Sequence, residues 1–255
     1  MRPGTDSDSP VVVMVHGTLD RGGSFNRVAR RLEEFTLVTF DRRGYQGSRS
    51  LALSRGLQDH IDDVLAVIAR VSPDQPVVIF GHSFGGVVAL ATAIQSPEKF
   101  CHVIAYEPPM PWLIDSAHPH RGVPISESSA KETEMFFRRI MSDDAWDRLN
   151  QEEKEDRIAD GNGLVGDLSV IRLETPFTVE QLQNFEVPVT IGQGTATTMT
   201  HNVPSGALVV ETVAHGVAEE IASAGHGAHL SHPGSIAGMI RDVANHYREE
   251  PSCAS

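Results

Sequence analysis

The sequence predicts an α/β protein: a mostly parallel sheet flanked by helices, with a helical insertion. Two observations carry this. Short apolar runs alternate with amphipathic stretches from the start of the chain, the rhythm of strands joined by crossover helices. That rhythm lapses from about residue 108 to 185 and then resumes. The expected division is therefore a core of residues 1–107 and 186–255, with residues 108–185 as an inserted lid. The 255 residues give room for one large domain carrying an insertion, and with 40% hydrophobic against 22% charged residues a sizeable core is available.

Val11 to Val15 is the first strand. Phe25 to Phe35 reads as a helix, because Val28, Leu32 and Phe35 fall on one face. Thr36 to Phe40 is the second strand and runs into Asp41-Arg42-Arg43-Gly44-Tyr45. Leu57 to Val71 carries Leu57, Ile61, Val64, Leu65 and Ile68 at helical spacing, and the strand Val77 to Phe80 follows. A helix then runs to about Ser96-Pro97, and His102 to Tyr106 is the next strand, ending in Glu107-Pro108-Pro109. Ser126 to Asp160 is rich in charge, with Met135, Phe136, Ile140, Trp146 and Leu149 as an apolar stripe, which predicts two or three helices laid outside the sheet. The sheet resumes at Val187 to Ile191, followed by a helix over Pro204 to Ala214, a strand over Val217 to Ala222 and a closing helix over Ser235 to Tyr247.

A net charge of −13 argues against nucleic acid or an anionic membrane as the main partner, and although it identifies no substrate, the expected partner is a small-molecule substrate. The opening MRPGTDSDSP has no apolar leader, and no window approaches the length that crosses a bilayer, so the expected location is cytoplasmic. Cys101 and Cys253 are too few for a disulfide framework. Monomer and homodimer both stay open.

The chemistry is concentrated at Val77 to Gly86, VVIFGHSFGG, which reads as strand, tight turn and helix. A serine on such a turn needs small neighbours, and Gly81, Gly85 and Gly86 supply them. Ser83 is the candidate nucleophile. Its base must be a histidine within hydrogen-bond reach in the fold, wherever it lies in sequence. Among twelve histidines, His226 in Ala224-Gly225-His226-Gly227 leaves the last strand at the sheet edge where the serine turn also lies. His82 must diverge from Ser83 at the turn and is expected to pack beside the site. His229 and His232 follow His226 at intervals of three, but with no carboxylate or cysteine at matching spacing no metal site is expected, and no cofactor. The Phe84 N–H, at a helix N-terminus, is placed to hold an oxyanion, with a second donor expected from the loop Val15-His16-Gly17-Thr18-Leu19.

The ordered set of apolar strand, His16-Gly17, Asp41-Arg42-Arg43-Gly44, Gly81-His82-Ser83-Phe84-Gly85, inserted helices and late Gly225-His226 resembles the α/β-hydrolase superfamily over nearly the whole chain. The resemblance implies that Thr18 gives the second oxyanion N–H and that the Asp41 to Ser48 turn supports its loop. It also implies that the chain lacks the family's first antiparallel hairpin, since ten residues precede Val11. After the strand Val187 to Ile191 the family usually places its acid in a Gly-x-x-Asp turn, where this chain reads Gly192-Gln193-Gly194-Thr195. A threonine holds no charge against an imidazolium. Glu107, at the end of the neighbouring strand, stands where some members, certain haloalkane dehalogenases among them, carry the acid instead. The implied triad is Ser83, His226 and Glu107, in a serine hydrolase acting on a small ester or thioester. The alternative is a non-hydrolytic member of the fold, a lyase-like catalyst or a small-molecule binding protein, with an incomplete triad.

Overall fold

In the computed structural model, residues 1–5, 10–51, 53–114, 122, 123, 125 and 128–249 are described. Cys253 and the Ser126 that opens the charged segment lie outside them. Six strands, β1 (Val11–Val15), β2 (Thr36–Thr39), β3 (Val77–His82), β4 (Phe100–Tyr106), β5 (Val189–Gly194) and β6 (Gly216–Ile221), form one sheet in the order β2-β1-β3-β4-β5-β6. Every neighbouring pair is parallel. At the β2 edge, Arg2 makes an isolated antiparallel bridge with Leu37.

The helices are α1 (Asn26–Ala29), α2 (Leu57–Val71), α3 (Phe84–Gln95), α4 (Ser129–Ile140), α5 (Asp143–Asp147), α6 (Gln151–Ala159), α7 (Gly161–Leu173), α8 (Val179–Gln183), α9 (Val203–Thr212), α10 (Ala228–Ser231) and α11 (Pro233–Glu249). Alternation along the strands builds two apolar layers. Val13, Val15, Val77, Ile79, Val103 and Ala105 pack on one face with residues of α2, α3 and α9. Val12, Met14, Val78, Phe80, Ile104 and Tyr106 pack on the other with Val28 of α1 and Ile236 and Ile240 of α11. Strands covered on both faces read as continuous apolar runs, as Val77 to Phe80 does. The chain leaves β1 for β2 and returns past β1 to β3, which opens a crevice at the carboxyl ends of β1 and β3.

Three elements differ from the sequence reading. The helix expected over Phe25 to Phe35 is a 3₁₀ turn, Gly22–Phe25, and the short α1. Beyond Ala29 the backbone N–H groups of Arg31, Leu32 and Phe35 bond three residues back, so the chain descends to β2 in tight turns while Val28, Leu32 and Phe35 stay buried. β5 starts at Val189, because Pro188 has no N–H for the ladder. In the charged segment between β4 and β5 three helices, α4, α5 and α6, stand as expected, and α7 and α8 follow where no helix was read. α7 was hidden by its glycines, Gly161, Gly163 and Gly166; a Cβ on Gly163 would come within 3.0 Å of Gly44 O and the Tyr45 ring. The apolar stripe also splits, since Met135 is 54% exposed while Trp146 is buried against Phe137.

Two histidines beside these layers, buried His16 and partly buried His102, are held uncharged. Burial lowers His16 to about 4, and burial with the neighbouring His246 lowers His102 to about 4. The unfolded chain protonates both near pH 6.5, so between about pH 6.5 and 4 it binds more protons than the folded protein. Stability is therefore expected to fall as pH is lowered through that window, by about 1.4 kcal/mol per pH unit for each histidine. Thermal melts at pH 7, 6 and 5 check this; an unchanged Tm would contradict it.

Candidate active site

β3 delivers Ser83 on a backbone that only close packing sustains. Its φ of 53° and ψ of −124° lie outside the ordinary regions for a side-chain-bearing residue, at a cost of about 1–3 kcal/mol. The turn is closed by its neighbours. A Cβ on Gly81 would collide with Gly85 O, and one on Gly85 with Val15 O. The Ser83 N–H donates to Tyr106 O (2.9 Å) and its carbonyl accepts from the Gly86 N–H (2.8 Å), which ties the turn to β4 and to the first turn of α3. The first N–H groups of that helix have no partner within it, and their dipoles favour negative charge.

The loop after β1 lies against this turn: a Cβ on Gly17 would meet His82 Nδ1 and Ser83 Cβ at 3.0 Å. Behind the loop a buried ion pair fixes its position. Arg42 donates through Nη1 and Nη2 to Asp167 Oδ1 (2.9 Å) and Oδ2 (2.6 Å), through Nε to His16 O (2.9 Å) and through Nη2 to Gly17 O (3.1 Å). Thr18 Oγ1 and Tyr45 O–H donate to the same Asp167 Oδ2, at 2.9 and 2.6 Å. Both charged side chains are out of water, at 1% and 0% exposure. Burial alone would push the Asp167 carboxyl up, but the Arg42 guanidinium outweighs it and holds the group below the ordinary carboxylate range. Asp167 lies on α7, so an inserted helix supplies the counterion that supports the loop. Sequence reading missed it, although a lone acid in the apolar run Leu164 to Leu173 was the available signal.

Removing one partner of a buried pair costs about 3–5 kcal/mol, because the other charge is left uncompensated. Asp167→Ala is expected to lose stability in that range by urea denaturation. A loss below about 1 kcal/mol, the range of an exposed pair, would show that Arg42 is already solvated.

Glu107 is brought to His226. It ends β4 with φ 47° and is 4% exposed. Its Oε2 lies 2.7 Å from His226 Nδ1 and accepts from Thr197 Oγ1 (2.8 Å), while Oε1 accepts from the Gly194 N–H (3.0 Å). The turn after β5 thus donates a hydrogen bond to the carboxylate instead of supplying one. Thr195 serves elsewhere, its Oγ1 accepting the Ser223 N–H (2.9 Å) at the foot of the His226 loop. His82 packs beside the site, its Nε2 2.8 Å from His226 O and its ring centroid 4.8 Å from that of His226. His232 faces outward and pairs with Ser231 Oγ (2.9 Å).

Two cavities meet at Ser83, His226 and Thr18. One of about 180 Å³ is also lined by Phe136, Ile140, Met141, Asp20 and His229. The other, of about 50 Å³, is lined by Pro109, Phe136, Ile140, Leu168 and Ile171. Helix α4 therefore walls both, and α7 the smaller one. A wider groove of about 680 Å³ runs between β2 and α2 past Val38, Arg43 and Val67, away from the serine turn.

A sequence model described as the alpha/beta hydrolase family matches residues 12–238. Among curated proteins, the chain is 33% identical over 102 residues to an uncharacterized hydrolase, YraK, of Bacillus subtilis, covering 39% of this chain and 37% of that one. It is 31% identical over 97 residues to the lipase LipV of Mycobacterium tuberculosis, covering 38% and 36%. These matches thus span a little over a third of either partner. The enol-lactonase of Burkholderia xenovorans superposes with a TM-score of 0.72 over 94% of both chains at 15% identity, a likeness of fold.

Proposed function

Because the chain belongs to the alpha/beta hydrolase family, we propose that it is a serine hydrolase that cleaves a small ester or thioester through an acyl-enzyme on Ser83. The observation that carries this is the 2.7 Å contact between Glu107 and His226, made beside the cavities that Ser83 lines. With His226 Nδ1–H donated to the carboxylate, Nε2 is left as the lone pair that takes the Ser83 proton. The serine oxygen attacks the carbonyl carbon, and the oxyanion is held by the N–H groups of Phe84 and Thr18. The imidazolium, stabilised by Glu107, returns its proton to the leaving alkoxide or thiolate. Water then enters by the same route to release the acid.

The two cavities favour a small substrate. Phe136, Ile140, Leu168 and Ile171 give it apolar walls, and we assign residues 108–185 the part of a lid. The names of the lipase and enol-lactonase relatives agree with an ester substrate. The non-hydrolytic alternative drew its support from the missing acid in the turn after β5, and the contact of Glu107 with His226 weighs against it.

Labelling with a fluorophosphonate tests the proposal. A single adduct on the peptide containing Ser83 is the expected result. An unmodified protein would point to the non-hydrolytic reading.

A further inference from the structure

Beside the serine turn stands a second cluster of polar side chains that the hydrolytic reading leaves unused. Asp20 on the loop after β1, His82 at the end of β3 and His229 on α10 each present one ligand atom, and all three lie within 4.8 Å of one another. His229 Nε2 is 3.3 Å from Asp20 Oδ2, and His82 Nδ1 is 4.0 Å from the same oxygen. The two imidazole rings lie tilted at 48° to each other with centroids 4.2 Å apart. His82 is 6% exposed and His229 2%, yet among the described residues His82 Nδ1 and both ring nitrogens of His229 have no aligned hydrogen-bond partner. Buried polar atoms left in this state each cost about 1–3 kcal/mol unless something outside the chain satisfies them.

We propose that Asp20, His82 and His229 form a binding site for a divalent transition-metal ion of the zinc type, open on its fourth side to the cavity that Ser83 and His226 line.

Two imidazoles and one carboxylate are a donor set that suits zinc, with bonds of about 2.0–2.2 Å that place tetrahedral ligand atoms about 3.3–3.5 Å apart. The His229 to Asp20 separation already has that value, the His82 to Asp20 separation needs about half an ångström of closure, and the two imidazole nitrogens, within 4.8 Å of each other, close by up to about 1.4 Å through χ rotations of the histidines. The surroundings are those of a metal-ligating histidine. Its second nitrogen normally donates to a carbonyl or carboxylate, which fixes the tautomer. His82 Nε2 has that partner in His226 O at 2.8 Å, which leaves Nδ1 as the free lone pair directed at the cluster. Asp20 Oδ2 in turn accepts from Ser24 Oγ (3.0 Å). The open side is the 180 Å³ cavity, which Asp20, His82 and His229 line together with Ser83 and His226. An ion held there occupies substrate space and pulls on the imidazole that bonds the His226 carbonyl, so it inhibits turnover.

The sequence pattern argues against a metal because no carboxylate stands at ligand spacing from His229. The missing carboxylate comes from Asp20, brought across by the parallel sheet, and the second imidazole is the elbow's own His82, in place of His232.

The test is metal binding by the full chain, which stands whether or not the hydrolytic proposal does. Chelator-treated protein is titrated with Zn²⁺ against a chromophoric competitor, and with Co²⁺ while its visible absorption is followed. The expected result is one equivalent bound and a Co²⁺ band of four-coordinate intensity. Asp20→Asn and His229→Gln should each weaken binding by at least about 100-fold, beyond the 10- to 100-fold typical of outer-shell losses. His226→Ala, which keeps the carbonyl, should bind as the parent does. Should a variant fail to fold, the Zn²⁺-induced rise in Tm of the parent serves instead. No stoichiometric binding by the parent, or binding that disappears in His226→Ala and persists in His229→Gln, would overturn the proposal, the latter by placing the ion on the catalytic base.

Discussion

Ser83→Ala is expected to lower kcat for ester hydrolysis by a factor on the order of 10⁶, as loss of the nucleophile does in a serine protease. The fold should survive. Ala occupies the same strained backbone at φ 53°, and the packing that holds the turn comes from Gly81, Gly85 and the hydrogen bond from the Ser83 N–H to Tyr106, all retained. Kinetics on p-nitrophenyl acetate with circular dichroism of the same sample make the comparison. A variant that keeps more than a few per cent of the parent rate would mean that Ser83 does not carry the acyl group.

Glu107→Gln is the second large effect, a fall in kcat on the order of 10⁴ with KM little changed. The reason is tautomeric. The amide oxygen of glutamine can still accept the Gly194 N–H, but its NH₂ then confronts His226 Nδ1 and Thr197 Oγ1, where the carboxylate accepted from both sides. His226 is driven to present a lone pair to that NH₂ and its N–H toward Ser83, the wrong way round for a base. Steady-state kinetics across pH distinguish this from simple loosening, which would raise KM. If kcat drops less than about tenfold, His226 is oriented by something other than Glu107.

How much of this was legible follows from where the information sits. β1 and α2 were read to the residue, because Val11 to Val15 is a bare apolar run and Leu57 to Val71 keeps its helical period throughout. The elbow was readable because its glycines are required by contacts with residues near them in the chain, such as Gly81 against Gly85. Glu107 was reached through the family resemblance, which places the acid at the end of β4 in some members when the turn after β5 lacks it. What was missed are pairings made across the fold: Arg42 with Asp167 is 125 residues apart in the chain, and His229 is distant in the chain from Asp20 as well. No local spacing encodes such contacts. The helix after Asp160 went unread for a local reason, because glycine is read as loop whereas in α7 it permits Gly163 to touch Gly44.

The Arg42 to Asp167 pair also bears on how such proteins diversify. If the insertion served only to shape the pocket, it could be exchanged between relatives as a module, and specificity would follow the donor. Here the insertion carries the acid that keeps a core arginine compatible with burial. Arg49 and Gln46 extend the dependence to the α6 to α7 junction, through bonds to Asp160 at 2.5 and 3.0 Å. A graft that omits an acid at the place of Asp167 strands the Arg42 charge beside the loop after β1, and the chimera fails in its core before its pocket is ever assayed. Asp156 of α6 is bound to the core as well, by Arg21 at 3.2 Å and Arg49 at 2.8 Å, so the dependence begins one helix before α7.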